Sequence, residues 1–107
     1  MNKILIKALS INVAWAGRRF KTPLYKNYEE ELLYKLPAID IPEGKLEAHY
    51  IFGLSSKNAD LDNPVKLFTD VLQKKYGFND KRIYKMVIEK VDVKKGEEFI
   101  SFNFLTK

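Results

Sequence analysis

The chain contains no cysteine and only one histidine, His49, among its 107 residues. The absence of cysteine excludes disulfide bonds, thiolate nucleophiles and thiolate metal sites, and it is typical of proteins from a reducing cytoplasm. A single histidine excludes two-histidine metal sites within one chain, and a Ser-His-Asp triad would have to use His49, which lies in a predicted strand. Any catalysis must therefore use carboxylates, lysines or hydroxyl groups.

Glycine is also sparse, with five residues scattered singly, and neither GxxxxGK[ST] nor GxGxxG occurs. These absences argue against a phosphate-binding loop and a nucleotide cofactor. No apolar run approaches the roughly 18 residues of a membrane helix, so we expect no membrane partner. Residues 1–6 and Ala14-Trp15-Ala16 only faintly suggest a signal peptide, because Lys7, Ser10 and Asn12 interrupt the apolar stretch. We expect this segment to belong to the folded domain.

Length and composition predict one compact domain spanning residues 1–107, since 46% of the residues are hydrophobic and 31% are charged. Hydrophobic periodicity predicts the order strand, helix, strand, helix, strand, strand. The predicted strands cover residues 3–9, 45–54, 83–91 and 99–104, and the predicted helices cover 24–36 and 64–76. Asn63 is the predicted N-cap of the second helix, and Gly77 is its predicted stop. We therefore expect an α+β fold in which two helices pack on a mixed sheet.

Positive charge is concentrated at the amino end of the chain. The formal net charge is +5, yet residues 1–28 carry +6 and residues 29–107 carry −1. Trp15, Phe20 and Tyr25 lie among these basic residues. Such a segment suits a polyanion, because cations neutralise phosphates and aromatic faces stack on unpaired bases. The alternative interpretation is a solvated basic loop that binds nothing.

Four of the six aspartates, Asp60, Asp62, Asp70 and Asp80, fall within one window of 21 residues. Asp60 and Asp62 are two positions apart, so in extended chain their side chains would leave the same face and could converge on one cation. Mg²⁺ suits them, because it takes oxygen ligands and is usually held by one or two carboxylates plus substrate phosphate. The alternative is a turn before the next helix, in which the helix dipole stabilises acidic residues near the amino end of that helix.

The surrounding motif resembles a known family. Asp60-Leu61-Asp62-Asn63-Pro64-Val65-Lys66, with Asp70 and then Asn79-Asp80, resembles the D-L-D-N-x-x-K-x-x-x-D pattern and later aspartate of the RusA-type Holliday-junction resolvases, endodeoxyribonucleases common in prophages. Ser10-Ile11-Asn12, followed by Trp15, Arg18 and Arg19, also resembles the asparagine-containing N-terminal loop of that family. The likeness covers nearly the whole chain, although family members often have paired acids where this chain has Asn79-Asp80.

The resemblance implies a homodimer that binds four-way DNA junctions and nicks two opposing strands with Mg²⁺, for which Mn²⁺ could substitute. It implies metal ligands at Asp60, Asp62 and Asp80. These three residues and Lys66 would be catalytic, with Asn63 and Asp70 in support. The DNA contacts would be Asn12, Trp15, Arg18, Arg19 and Lys21. The residue chemistry agrees in kind, because metal-bound carboxylates could activate water and Lys66 could stabilise the charge that develops on the phosphorane.

Several of these assignments have structural alternatives. Lys66 could only form an i, i+4 pair with Asp62 or Asp70, and Asp70 could only hold Lys66 in place. Trp15 could wedge into unpaired bases at the junction or pack on its own domain. A catalytically silent nucleic-acid-binding module, such as a phage regulator, would use the same basic loop. The resemblance implies the cytoplasm of a bacterial or phage-infected cell.

The position of Asp80 sets a condition on the topology. A helix over residues 64–76 is about 20 Å long, so parallel strands on either side of it would place Asp80 at the far end of the sheet from Asp60. We predict that residues 77–80 fold back along the helix and that the strand from Ile83 runs antiparallel to the strand ending near Leu54. The alternative is that Asp80 comes from the partner subunit of a two-fold dimer.

Overall fold

The computed structural model describes residues 1–16 and 20–107. In chain order its strands are β1 (Asn2–Ile4), β2 (Trp15–Ala16), β3 (Phe20–Lys21), β4 (Leu46–Leu54), β5 (Ile83–Asp92) and β6 (Phe99–Thr106). The helices are α1 (Pro23–Lys35) and α2 (Val65–Tyr76), with single 3-10 turns at Ile11–Val13 and Asp80–Arg82. Apart from the small β2–β3 hairpin, the strands form one four-stranded sheet in the order β1-β6-β4-β5. The predicted α+β fold with two helices and a mixed sheet is confirmed.

The strand directions differ from the prediction at one point. β6 runs antiparallel to both of its neighbours, but β5 runs parallel to β4, with Ile83 opposite Leu46. The predicted antiparallel pairing of β4 and β5 was therefore wrong. The physical reason is that α2, about 18 Å long, carries the chain back along the sheet, so β5 begins beside the start of β4 and repeats its direction.

Both helices pack on one face of the sheet. Along β4 the alternate residues Leu46, Ala48, Tyr50 and Phe52 are buried in one core with side chains of α1 and α2. Phe68 of α2 contacts Tyr50 edge to face, with ring centroids 5.0 Å apart. The Tyr50 hydroxyl group lies 2.9 Å from Thr69 Oγ1, which satisfies both buried hydroxyls. These contacts fix α2 over β4.

The start of α2 differs from the prediction by one residue. Pro64 occupies the N-cap position, and no side chain caps the helix there. Asn63 instead uses its carbonyl to accept a 3.1 Å hydrogen bond from the Ile11 N–H. The stop at Gly77 is confirmed, because this residue adopts φ 71° and its N–H bonds to the Gln73 carbonyl.

β1 is shorter than predicted, because its partner strand ends. β6 begins at Phe99, and Ile4 already pairs with Ile100, so residues beyond Ile4 soon run out of partners. Within the part of the chain that the structure describes, neither helix is long and apolar enough to cross a bilayer.

Candidate functional site

A groove of about 460 Å³ lies between α2 and β5. Val65, Lys66 and Thr69, which share one face of α2, form part of its wall. Two carboxylates also line it, Asp62 from the turn before α2 and Asp80 from the turn after it. The residues of β5 that complete the lining are Ile83, Tyr84, Lys85, Met86 and Ile88. The groove thus combines acidic, basic and apolar side chains.

The segment after α2 returns to the helix, as predicted. Gly77 takes up a left-handed conformation that a residue with a side chain rarely adopts, and this allows the chain to reverse sharply. The Asp80 N–H then donates a 2.8 Å hydrogen bond to Oε1 of Gln73 in the last turn of α2. Asp62 and Asp80 therefore line one groove within a single chain, even though β5 runs parallel to β4.

Lys66 and Asp70 form an ion pair along the exposed side of α2. Lys66 Nζ lies 2.9 Å from Asp70 Oδ1, which also accepts a 3.4 Å hydrogen bond from Gln73 Nε2. The hydrogen bond with Asp70 raises the pKa of Lys66 above its ordinary value, and Asp80 adds to this. The Lys66 side chain nevertheless remains 59% exposed. Lys66 is therefore a fixed cation at neutral pH that a ligand in the groove could reach.

Asp60 does not share this groove. It lines a smaller depression of about 260 Å³ on which Ser10, Leu54 and Asn63 also border. Residues 61–64 form a turn rather than extended chain, and the Val65 N–H bonds to the Asp62 carbonyl. Two-residue spacing therefore does not place Asp60 and Asp62 on a common face.

The three aspartates predicted to hold a metal ion do not all line one groove. Among the residues that the structure describes, which include all three aspartates, no three His, Asp or Glu side chains converge to hold a metal ion. What remains together is the pair of carboxylates in the groove, Asp62 and Asp80. Because Mg²⁺ commonly takes only one or two carboxylates and completes its shell with water and phosphate oxygens, this pair is compatible with such an ion.

The N-terminal segment lies against the start of α2. The bond from the Ile11 N–H to Asn63 holds it there, and Ser10 borders the depression that contains Asp60. Asn12 is exposed, and its N–H donates to the Ser10 hydroxyl. Of the other predicted DNA contacts, Trp15 lies in β2, while Arg18 and Arg19 lie outside the described residues.

Lys21 has partners within the domain. Its Nζ lies 2.8 Å from Glu29 Oε2 and 4.8 Å from the centroid of the Tyr25 ring. Glu29 also accepts a 3.0 Å hydrogen bond from Lys74 of α2. Burial alone would raise the pKa of Glu29, but the two lysines outweigh it and hold this pKa below its ordinary value. A phosphate group at Lys21 would compete with Glu29.

Glu29 is a residue that sequence reasoning missed. It joins β3, α1 and α2, but its partners lie 8 and 45 positions away along the chain. No local pattern could have indicated these pairs. The apolar wall of the groove was also missed, although the alternating Tyr84, Met86 and Ile88 were a usable signal.

His49 lies in the middle of β4, as predicted, on the face of the sheet opposite Tyr50. Its Nε2 is 2.5 Å from Glu47 Oε2, and this hydrogen bond lowers the pKa of Glu47. Lys85 approaches the same carboxylate at 3.7 Å. His49 is therefore part of a polar cluster with Glu47 and Lys85 and does not itself line the groove.

Comparison with protein-family models finds no match to this chain, and comparison with curated proteins also finds none. The likeness to RusA-type resolvases therefore depends on the motif residues alone.

Proposed function

We propose that this chain is a Mg²⁺-dependent, structure-specific endodeoxyribonuclease that resolves four-way DNA junctions by paired nicks, as its resemblance to RusA-type resolvases implies. The observation that carries the proposal is the groove lined by Asp62, Lys66 and Asp80. Metal-assisted hydrolysis of a phosphodiester uses anionic oxygens that hold a cation, and a second positive group beside the phosphate can stabilise the charge that develops. This groove contains both.

Asp62 and Asp80 are the proposed ligands of the metal ion. Two carboxylates in an open groove leave room for water and for substrate phosphate, which suits Mg²⁺, and Mn²⁺ accepts the same oxygen ligands. When bound, the ion would polarise the phosphodiester and lower the pKa of a coordinated water.

Lys66 is the proposed electrostatic partner of the phosphate. Its pKa lies above the ordinary value, so its ammonium group stays charged at neutral pH and cannot act as a general base. It can instead offset negative charge that develops on the phosphate oxygens. Asp70 is a positioning residue, because it contacts Lys66 at 2.9 Å and Gln73 behind it.

The N-terminal segment, residues 1–28, is the proposed DNA-binding surface. It carries the whole basic excess of the chain, and it is bonded to Asn63 at the start of α2, next to the acidic motif. Asn12, Trp15, Arg18, Arg19 and Lys21 are the proposed contacts. Paired nicks in opposing strands imply a homodimer, and DNA as substrate implies the cytoplasm of a bacterial or phage-infected cell.

One observation favours a second candidate. Among the described residues, no three acidic or histidine side chains come together, which is what a module that binds junction DNA without cutting it would show. Such a module would have the same basic segment and the same fold. Such a module would bind but would not respond to divalent ions with cleavage.

Nicking of a synthetic four-way junction tests the two candidates against each other. We expect symmetrical nicks with Mg²⁺, none with EDTA, and none with the Asp80→Asn variant, which should still retard the junction in a gel. A linear duplex of the same sequence is the matched control and should remain uncut. Retardation of the junction without nicks in either Mg²⁺ or Mn²⁺ would overturn the nuclease and leave the binding module.

A further inference from the structure

A depression of about 380 Å³ lies beside the groove, at the start of β5. The residues that line this basic depression are Gly44, Lys45, Lys81, Arg82 and Tyr84. Three of the five are cations, and none of the five is acidic. Tyr84 also lines the groove that contains Asp62 and Asp80. One aromatic side chain therefore borders both surfaces.

The Tyr84 side chain is placed to receive a planar ligand. It is 62% exposed, and Lys45 Nζ lies 4.9 Å from the centroid of its ring. Lys45 lines the basic depression but not the groove, so the side of Tyr84 that borders the groove is not covered by this lysine. Met86 and Ile88 continue the apolar wall on that side. An aromatic ring beside apolar side chains suits an unpaired nucleobase, because every base can stack on it through its own flat face.

The basic depression is held together by Arg82. Its Nε donates a 2.9 Å hydrogen bond to the Gly44 carbonyl, and its Nη2 donates to the Pro42 carbonyl. These bonds tie the loop before β4 to the turn before β5. The same turn is fixed by the Lys81 N–H, which donates a 2.9 Å hydrogen bond to Asn79 Oδ1. The two segments that carry Lys45 and Lys81 are thus joined by the domain itself.

Lys45 and Lys81 are available to an anion. Both are exposed, and within the part of the chain that the structure describes neither forms an ion pair with a carboxylate. Lys21, in contrast, contacts Glu29 at 2.8 Å. A phosphate group could therefore bind at Lys45 and Lys81 without displacing a carboxylate, which it could not do at Lys21.

The order of residues in the turn before β5 relates the two surfaces. Asp80 lines the groove, and the next residue, Lys81, lines the basic depression. We propose that Tyr84, Lys45 and Lys81 form a subsite for one nucleotide of a DNA strand, in which an unpaired base stacks on Tyr84 and the adjoining phosphate binds the two lysines. That this nucleotide is next to the cleaved phosphate rests on the proposed function. The subsite itself requires only that the chain binds DNA.

Replacement of Tyr84 tests the stacking. Affinities for a four-way junction and for single-stranded oligothymidine are measured in EDTA, so that binding is observed without cutting. We expect Tyr84→Ala to bind both at least about fivefold more weakly with an unchanged salt slope, because stacking releases no counterions. Tyr84→Phe keeps the ring and should bind like the natural chain, as should the control Tyr34→Ala, whose tyrosine is 90% exposed on α1. Full affinity of Tyr84→Ala, or equal losses in the alanine and phenylalanine variants, would overturn the stacking.

Replacement of the lysines tests the phosphate contact. Lys45→Gln and Lys81→Gln should each reduce the salt slope for the single strand by about 0.7 per lost phosphate contact. Lys94→Gln, an exposed lysine in the turn before β6, is the matched control and should leave the slope unchanged. Equal slopes in all three variants would overturn the contact.

The nicking assay with Mg²⁺ separates this proposal from the proposed function. A natural chain that binds DNA through these residues but does not nick junctions would contradict the nuclease and leave the subsite. A chain that nicks junctions, with Tyr84 and lysine variants that bind unchanged, would overturn the subsite alone. A chain that binds neither DNA would overturn both.

Discussion

Asp60 and Asp62 line different surfaces of the molecule, although only one residue separates them in the sequence. Asp62 lines the groove between α2 and β5 together with Lys66 and Asp80, whereas Asp60 borders a depression beside the N-terminal segment. The groove has the acidic and basic groups that the proposed hydrolysis would use, and the depression adjoins the segment proposed to bind DNA. The difference teaches that a turn can send neighbouring acidic residues to surfaces with different roles.

The largest effects are expected in the groove. Asp62→Asn and Asp80→Asn should each lower junction nicking at least about a hundredfold, because each removes half of the proposed carboxylate pair. Asp60→Asn should lower it less than about tenfold, because Asp60 lies outside the groove. Junction binding in EDTA should stay equal or become tighter in all three, since each loses a negative charge. Single-turnover nicking assays measure the first effect and gel retardation the second. Complete loss of nicking in Asp60→Asn would contradict the distinction between Asp60 and the two groove aspartates.

Lys66 should have the next largest effect. Lys66→Gln should lower nicking between about tenfold and a hundredfold, since it removes the cation beside the phosphate. Lys66→Arg, which keeps the charge, should recover part of the loss. Asp70→Asn should have a smaller effect and should shift the alkaline side of the pH profile to lower pH, because the carboxylate that raises the pKa of Lys66 is lost. A pH profile that does not change would contradict positioning by Asp70.

The next effect concerns junction binding by the proposed DNA contacts near the amino end of the chain. Replacing Arg18, Arg19 and Lys21 by alanine should weaken junction binding and reduce the salt slope by about one unit for each lost phosphate contact. Titrations at several salt concentrations measure the slope. The double alanine variant of Lys94 and Lys95, in the turn before β6, is the control for loss of charge alone. If this control changes the slope as much, DNA lies elsewhere on the protein.

The smallest effect concerns the ion pairs that fix the N-terminal side. Glu29→Gln should lower the free energy of unfolding at pH 7 by about 1 kcal/mol, a value kept small because Lys21 and Lys74 are partly solvated. The pKa of Glu29 is depressed in the folded chain, so its contribution is complete above the unfolded pKa and is lost as pH falls through the folded pKa. Urea unfolding at pH 7 and near pH 3 measures this.

Glu30→Gln is the control for that experiment, since Glu30 is the next residue on α1 and is exposed. It should change stability by less than a few tenths of a kcal/mol at either pH. Equal losses in the two variants would remove the special role of Glu29.

The sequence predicted those parts of the molecule that depend on local rules. The alternation in β4 and the glycine stop at Gly77 are periodic or conformational signals, and both were confirmed. The spacing of Lys66 and Asp70 on a helix likewise indicated one of the two pairs considered, and that pair is formed. Such features follow from dihedral angles that neighbouring residues determine.

The remaining features depend on the path of the chain in space. The direction of β5 follows from where α2 ends, and the separation of Asp60 from Asp62 follows from the turn between them. Glu29 finds Lys74 only after both helices have packed on the sheet. None of these has a signature in residue spacing.

The pairing of β1 with β6 bears on how the chain folds. Asn2 lies opposite Phe102, so this contact closes a loop of about a hundred residues for a strand of only three. Loop closure costs entropy that three residues of pairing return poorly, whereas β4, α2 and β5 are close in sequence. We therefore expect β1 to dock last. Its amide hydrogens should exchange with solvent through local opening, whereas the amide hydrogens of β4 should exchange only through global unfolding.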